Sequence, residues 1–174
     1  MPAGDHSPST DHEVNDATYW REFERNTLSH SMAHYLMAID CLRTQYGYAR
    51  ATDVAENLEV SRGAASMALS QLKKRGWVGE DRNRFLLLTP EGQRIADRVK
   101  ENFAVLAEFF EEVLGMPHDS ACADACKMEH LLSTATGKRL LSLMHFLLGD
   151  SQAAQAAREH IRLETGALDP GESP

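Results

Sequence analysis

Apolar side chains recur along this chain at two periods, and the changes of period divide it into elements. Over residues 17–46, Trp20, Phe23, Leu28, Met32, Tyr35, Leu36, Ile39, Leu42 and Tyr46 return every three or four positions until Gly47. That spacing predicts helix, with residues 26–29 as a candidate break into two. Thr52 then reads as the cap of a short helix over residues 53–58, and Ser61 as the cap of a second that ends at Gly76. Val54, Ala55, Leu58, Ala65, Ala68, Leu69 and Leu72 turn inward, and Arg62, Ser66, Ser70, Lys73 and Lys74 outward, in a helix-turn-helix. Trp77 and Val78, the turn Asp81-Arg82-Asn83-Arg84 and the apolar run at 85–88 predict a two-stranded hairpin, which makes the unit a winged helix.

The remainder is helical. Thr89-Pro90-Glu91 is a capped start with proline in the first turn, and Ile95, Val99, Phe103, Leu106, Phe110 and Val113 continue one long helix to Gly115. Further helices are expected over residues 119–133, 137–148 and 151–164. The Pro-, Ser- and Asp-rich residues 1–16 and the tail at 165–174 have no periodicity and read as disordered arms.

Charge sharpens this division. The chain of 174 residues is acidic overall, at −8, yet residues 61–100 carry nine basic and four acidic side chains. A basic block inside an acidic protein suits a local phosphate-binding face. In a helix-turn-helix the second helix enters the major groove, so Ser61, Arg62, Gly63 and Ser66 are placed to reach base edges. Lys73, Lys74 and Arg75, with Arg82 and Arg84 on the wing, suit phosphate contacts that fix register. No apolar run approaches a membrane span and the first residues are polar and acidic, so a cytoplasmic protein without membrane contact is expected. Three cysteines, Cys41, Cys122 and Cys126, are too few for a disulfide framework and suit packing or ligation in a reducing compartment.

Two donor-bearing stripes stand out. Cys122, Cys126, Glu129, His130 and Ser133 share one helical face, and His30, His34, Met37 and Cys41 share another. A lone Cys41 or Met37 is more often core filling, and a lone His30 near a helix start more often a surface residue. Cys126, Glu129 and His130 weigh more, because a carboxylate and an imidazole on one face with cysteines are costly to bury without a partner. Imidazole, sulfur and carboxylate together suit Fe(II), Co(II), Ni(II) or Zn(II) better than the oxygen-seeking Mg(II) and Ca(II).

With these elements in view, the chain resembles the diphtheria-toxin-repressor family, including its short form, the manganese transport regulators. The likeness runs through SMAHYLMAI at 31–39, GYARATDVAENLEVS at 47–61, LTPEGQRIA at 88–96 and DACKMEHLLS at 124–133. It implies a mainly α homodimer: an N-terminal winged helix-turn-helix DNA-binding domain over 17–93, then an all-helical dimerisation and metal-binding domain over 94–164. It places His34 and Met37 at first-helix ligand positions, Cys126, Glu129 and His130 on the ligands of the later helix, and Cys122 near an ancillary position. Where the family supplies a histidine from the long helix, this chain has Phe103, and His30 or Cys122 are the candidate replacements. The expected function is a metal-dependent repressor of metal-homeostasis genes on a palindromic operator, with Fe(II) favoured by the softer donor set and Mn(II) next. Two other readings stay open: a winged-helix sensor of redox state or of an iron-sulfur cluster, and, from another class, a metallohydrolase with Glu129 as general base.

Overall fold

Hydroxyl side chains open most of the helices among the described residues. A computed structural model describes residues 28–165. The features expected at 1–27, Trp20 and Phe23 among them, and the tail at 166–174 lie outside the described residues. Ser29 caps α1 (His30–Tyr46) by accepting the Met32 N–H at 3.3 Å, so the break expected at 26–29 resolves into a helix start. Gly47 ends α1 at φ +80°, a conformation that L side chains resist. The next start differs from expectation. Helix α2 is Ala51–Asn57, Arg50 stands at its N-cap, and Asp53 reaches back to the Arg50 N–H at 3.2 Å. Thr52 therefore lies inside the first turn, its hydroxyl bound to Asp53 at 3.1 Å, rather than capping the helix.

Ser61 caps α3 (Arg62–Lys74) through the Ala64 N–H, and the hairpin of β1 (Val78–Glu80) and β2 (Leu86–Leu88) follows. The strands pair antiparallel with Val78 opposite Leu88 and Glu80 opposite Leu86. Asp81 shapes the tip by accepting the N–H groups of Asn83 and Phe85, while Arg84 sits at φ +63°. Leu36, Ile39, Val54, Leu69, Leu72, Trp77, Leu86 and Val99 form one buried core beneath this winged helix.

The spine is α4 (Pro90–Glu108), which packs against α1 on one side and against α5 (His118–Met128) and α6 (Thr134–Leu147) on the other. Thr89 and Pro90 start it as the sequence predicts. The helix does not run unbroken to Gly115: Phe109–Val113 form a π-helical turn, with the Leu114 N–H bonded to the Phe109 carbonyl at 3.1 Å, before Gly115 turns the chain at φ +71°. The expected helix over 119–133 is also shorter. It stops at Met128, and Ser133, placed by periodicity on the donor stripe, instead caps α6 through the Thr136 N–H at 3.1 Å. Helix α7 (Gln152–Thr165) closes the layer, its Arg158 bonding the carbonyls of Leu147 and Gly149 at the end of α6.

Candidate metal centre and nucleic-acid interface

Helix α1 and the last turn of α5 bring their donors together. His30 and His34 lie one turn apart on α1, and Cys126 and Glu129 straddle the end of α5; the donor atoms of these four residues all lie within 4.8 Å of one another. His34 Nε2 is the hub, 3.3 Å from Cys126 Sγ and 3.7 Å from Glu129 Oε1. The rings of His30 and His34 meet edge to face at 4.4 Å between centroids, and the His130 ring lies 5.2 Å from that of His30.

Glu129 decides what this cluster can do. Its side chain is 1% exposed, and its Oε1 atom has no hydrogen-bond donor among the described residues. Burial pushes its carboxyl up to about 7. Burial, then the neighbouring carboxyl, pushes the Cys126 thiol up as well. His34 moves the other way, lowered by burial and then by His30, and His130 is lowered by burial, His30 and His34. Without a cation, every one of these groups is driven toward its neutral form. A divalent ion among them would favour thiolate and carboxylate and would use the lone pairs of the neutral imidazoles, so the donor set fits a metal.

Other expected donors sit elsewhere. Met37, one turn beyond His34, packs half-buried against the winged-helix core, and Cys41 is exposed. Cys122 lies outside the donor group and meets His118 Nε2 at 3.7 Å, and His118 Nδ1 meets Glu111 at 2.9 Å. His118, Glu111 and the buried Asn102 escaped sequence reasoning because each acts through a contact across a turn or between helices, outside its own helical stripe.

The surface expected to meet DNA is open to solvent. Ser61, Arg62, Gly63, Ser66 and Lys74 on α3 and Arg82 and Arg84 on the hairpin tip are exposed. Lys73, expected to meet phosphate, forms an ion pair with Glu80 of β1 that ties the helix to the wing. Met67 is 68% exposed one turn from Gly63 and Ser70, an apolar position that the polar signal of this helix hid. An open groove of about 610 Å³ joins the two sites, with His30 and His34 on one wall and Met67, Ala68 and Gln71 on the other.

Among known proteins, the HTH-type transcriptional regulator MntR of Listeria welshimeri is 30% identical over 137 residues, which are 78% of this chain and 96% of that protein. The chain belongs to the diphtheria toxin repressor and manganese transport regulator family. Residues 89–156 match the family described as the iron dependent repressor metal binding and dimerisation domain. The iron-dependent repressor IdeR of Mycobacterium leprae is 29% identical over 92 residues, 53% of this chain and 40% of that protein. In fold, the metal-dependent transcriptional regulator MtsR superposes with a TM-score of 0.61 at 23% identity, over 66% of this chain and 54% of that one. Like other members of the family, the protein is a metal-dependent transcriptional repressor, mainly helical, with its helix-turn-helix ahead of the dimerisation helices. These relatives are transcriptional regulators and favour neither the redox reading nor the hydrolase. No helix among the described residues is long and apolar enough to cross a membrane.

Proposed function

We propose that the protein is a cytoplasmic, homodimeric repressor of metal-homeostasis genes that binds a palindromic operator when a divalent ion, Fe(II) by preference and Mn(II) next, is held by His30, His34, Cys126 and Glu129, with His130 beside them. The observation that carries this reading is the buried Glu129 carboxyl, its Oε1 atom without a donor and 3.7 Å from His34 Nε2. Nitrogen, sulfur and oxygen donors in one set favour Fe(II) over the harder ions. Met37 is left to packing and Cys122 to its contact with His118.

The bound ion supplies positive charge that links α1 to α5. The chain's own contacts tie both of these helices to α4. Asp40 of α1 accepts from Gln93 of α4 at 3.0 Å and pairs with Lys100 of α4, while Asn102 of α4 binds the backbone at Glu129. Because α1 also carries the core of the winged helix, its placement sets that of α3. A shift from about 1:99 to 99:1 in favour of the DNA-competent placement requires roughly 5.5 kcal/mol of metal preference. Exposed Met128 at the end of α5, Leu131 on the turn after it, and Leu143 and Phe146 on α6 support a helical dimer face. A two-fold pair of α3 helices about 34 Å apart reads successive major grooves. Ser61, Arg62, Gly63 and Ser66 are assigned to base edges, and Lys74, Arg82 and Arg84 to phosphates.

The deciding experiment is an anaerobic operator titration on the full chain. Chelator is expected to weaken DNA binding at least about 100-fold, Fe(II) to restore it at lower concentration than Mn(II), and His34→Ala and Glu129→Ala to abolish the response. Operator affinity indifferent to chelator would overturn metal control, and restoration by Mn(II) alone would overturn the choice of iron.

Proton release gives an independent measurement. Cys126 must lose its proton to ligate throughout the neutral range, and Glu129 must also lose its own below about 7. The logarithm of metal affinity is therefore expected to rise with a slope of about 1 between roughly pH 7 and 8.5 and to approach about 2 below pH 7. A pH-independent affinity would remove Cys126 and Glu129 from the ligand set.

A further inference from the structure

Two polar side chains are buried among the described residues, Asn102 at 4% exposure and Glu129 at 1%, and they are joined. Asn102 Nδ2 donates to the Glu129 carbonyl at 2.8 Å and to the Leu132 carbonyl at 3.2 Å. Both carbonyls lie just past the end of α5, where the backbone has lost its intrahelical partners. Asn102 Oδ1 faces Gly137 of α6 so closely that a Cβ there would stand 2.5 Å from it. One amide is thus held between the turn that carries Glu129 and the backbone of the next helix.

We propose that Asn102 is a positioning residue for the metal centre, fixing the Glu129 backbone so that its carboxyl meets His34 and Cys126 before any ion arrives. The inference rests on the metal-binding reading above and goes beyond it. Helix α4 contributes no donor atom to the group of His30, His34, Cys126 and Glu129, and this amide is its hydrogen-bonded hold on the Glu129 side of it, as Gln93 and Lys100 hold α1 through Asp40. The need for it follows from the end of α5. Glu129 is at the C-cap, held within its own helix by a single N–H bond to the Ala125 carbonyl at 2.9 Å, and helix ends fray unless another element satisfies their carbonyls. Ligand distances tolerate only about ±0.2 Å, far less than a frayed turn explores. Gly137 is the counterpart on α6, because any side chain there would push the amide off the two carbonyls.

The test uses the full chain with Co(II) as probe, since a bound Cys126 thiolate gives Co(II) a charge-transfer absorption that reports ligation rather than folding. Asn102→Ala removes the amide. Asn102→Asp keeps its size and shape while replacing the donating Nδ2 by an accepting oxygen, and so remains informative if the alanine variant folds poorly. Leu69→Ala, in the buried core of the winged helix, serves as a variant that loses stability at a distance from the centre. At a temperature where every variant is folded, both Asn102 variants are expected to bind Co(II) about 10–100-fold more weakly, and Leu69→Ala as wild type. Wild-type affinity in the Asn102 variants, or an equal loss in Leu69→Ala, would overturn the positioning role. Absence of the thiolate absorption in wild type itself would instead overturn the metal centre on which the role depends.

Discussion

Replacing Glu129 by glutamine is expected to make the metal-free protein more stable at pH 8 while ending its response to metal. The carboxyl ionises near 4.5 in the unfolded chain and at about 7 when buried here. A folded-state value above the unfolded one means that the native protein holds this proton more tightly. The contribution of Glu129 to stability is therefore fullest below about pH 4.5 and is lost as pH rises through 7. A displacement of that size corresponds to about 3 kcal/mol at pH 8, of which glutamine would recover roughly 1–3 because its own amide also needs partners. The gap between the melting temperatures of Glu129→Gln and wild type should be small at pH 5 and wide at pH 8, both without metal. With saturating Fe(II) under anaerobic conditions the order should invert, since only wild type gains binding energy. A destabilised metal-free variant at pH 8 would mean that Glu129 has a partner of its own and is not waiting for an ion.

Gly92→Ala is expected to be strongly destabilising, costing about 3 kcal/mol and roughly 6–12 °C in melting temperature. The first turn of α4 lies directly on the backbone of Trp77: a Cβ at Gly92 would stand 2.9 Å from the Trp77 carbonyl carbon and nearer still to its oxygen. That oxygen cannot retreat, because it accepts the Thr89 N–H at 3.0 Å and the Thr89 hydroxyl at 3.3 Å, while the indole of Trp77 donates to Glu91 at 3.3 Å. The contact seats the wing on α4, so operator affinity should fall with stability. Gly79→Ala in β1, where a Cβ meets nothing within 4 Å, is the comparison and should carry no packing penalty. Thermal unfolding of the two variants side by side checks the claim, and a near-neutral Gly92→Ala would sink it.

The winged helix was legible because its signals are local. Ser61, Thr89 and Gly47 act on their own neighbours, and the inward set from Val54 to Leu72 follows helical periodicity, so all of them read directly from the chain. The misplacements arose where one residue serves two masters. Ser133 lay on the donor stripe by spacing yet caps the next helix, and the expected single helix to Gly115 hides a π-turn whose hydrogen bonds no apolar pattern encodes. The donors were legible as types, but their grouping was not. Nothing in spacing tells His30 from Met37 as the companion of His34, since both are about one turn away. The structure separates them by direction: His30 joins the hub, whereas Met37 faces the core.

The centre also has a direction of access. Exposure falls from His30, which is open to solvent, through the half-buried His34 and Cys126 to Glu129 at 1%. A divalent ion held here would have the His30 imidazole on its solvent side and the Glu129 carboxylate innermost. Such a ladder favours quick exchange with the pool of loosely held metal outside, which suits a gauge better than a store. It also leaves the gauge open to rivals. Copper and zinc outrank iron and manganese for almost any set of nitrogen and sulfur donors. Which ion this protein reports is then decided as much by how scarce its competitors are kept around it as by its own affinities.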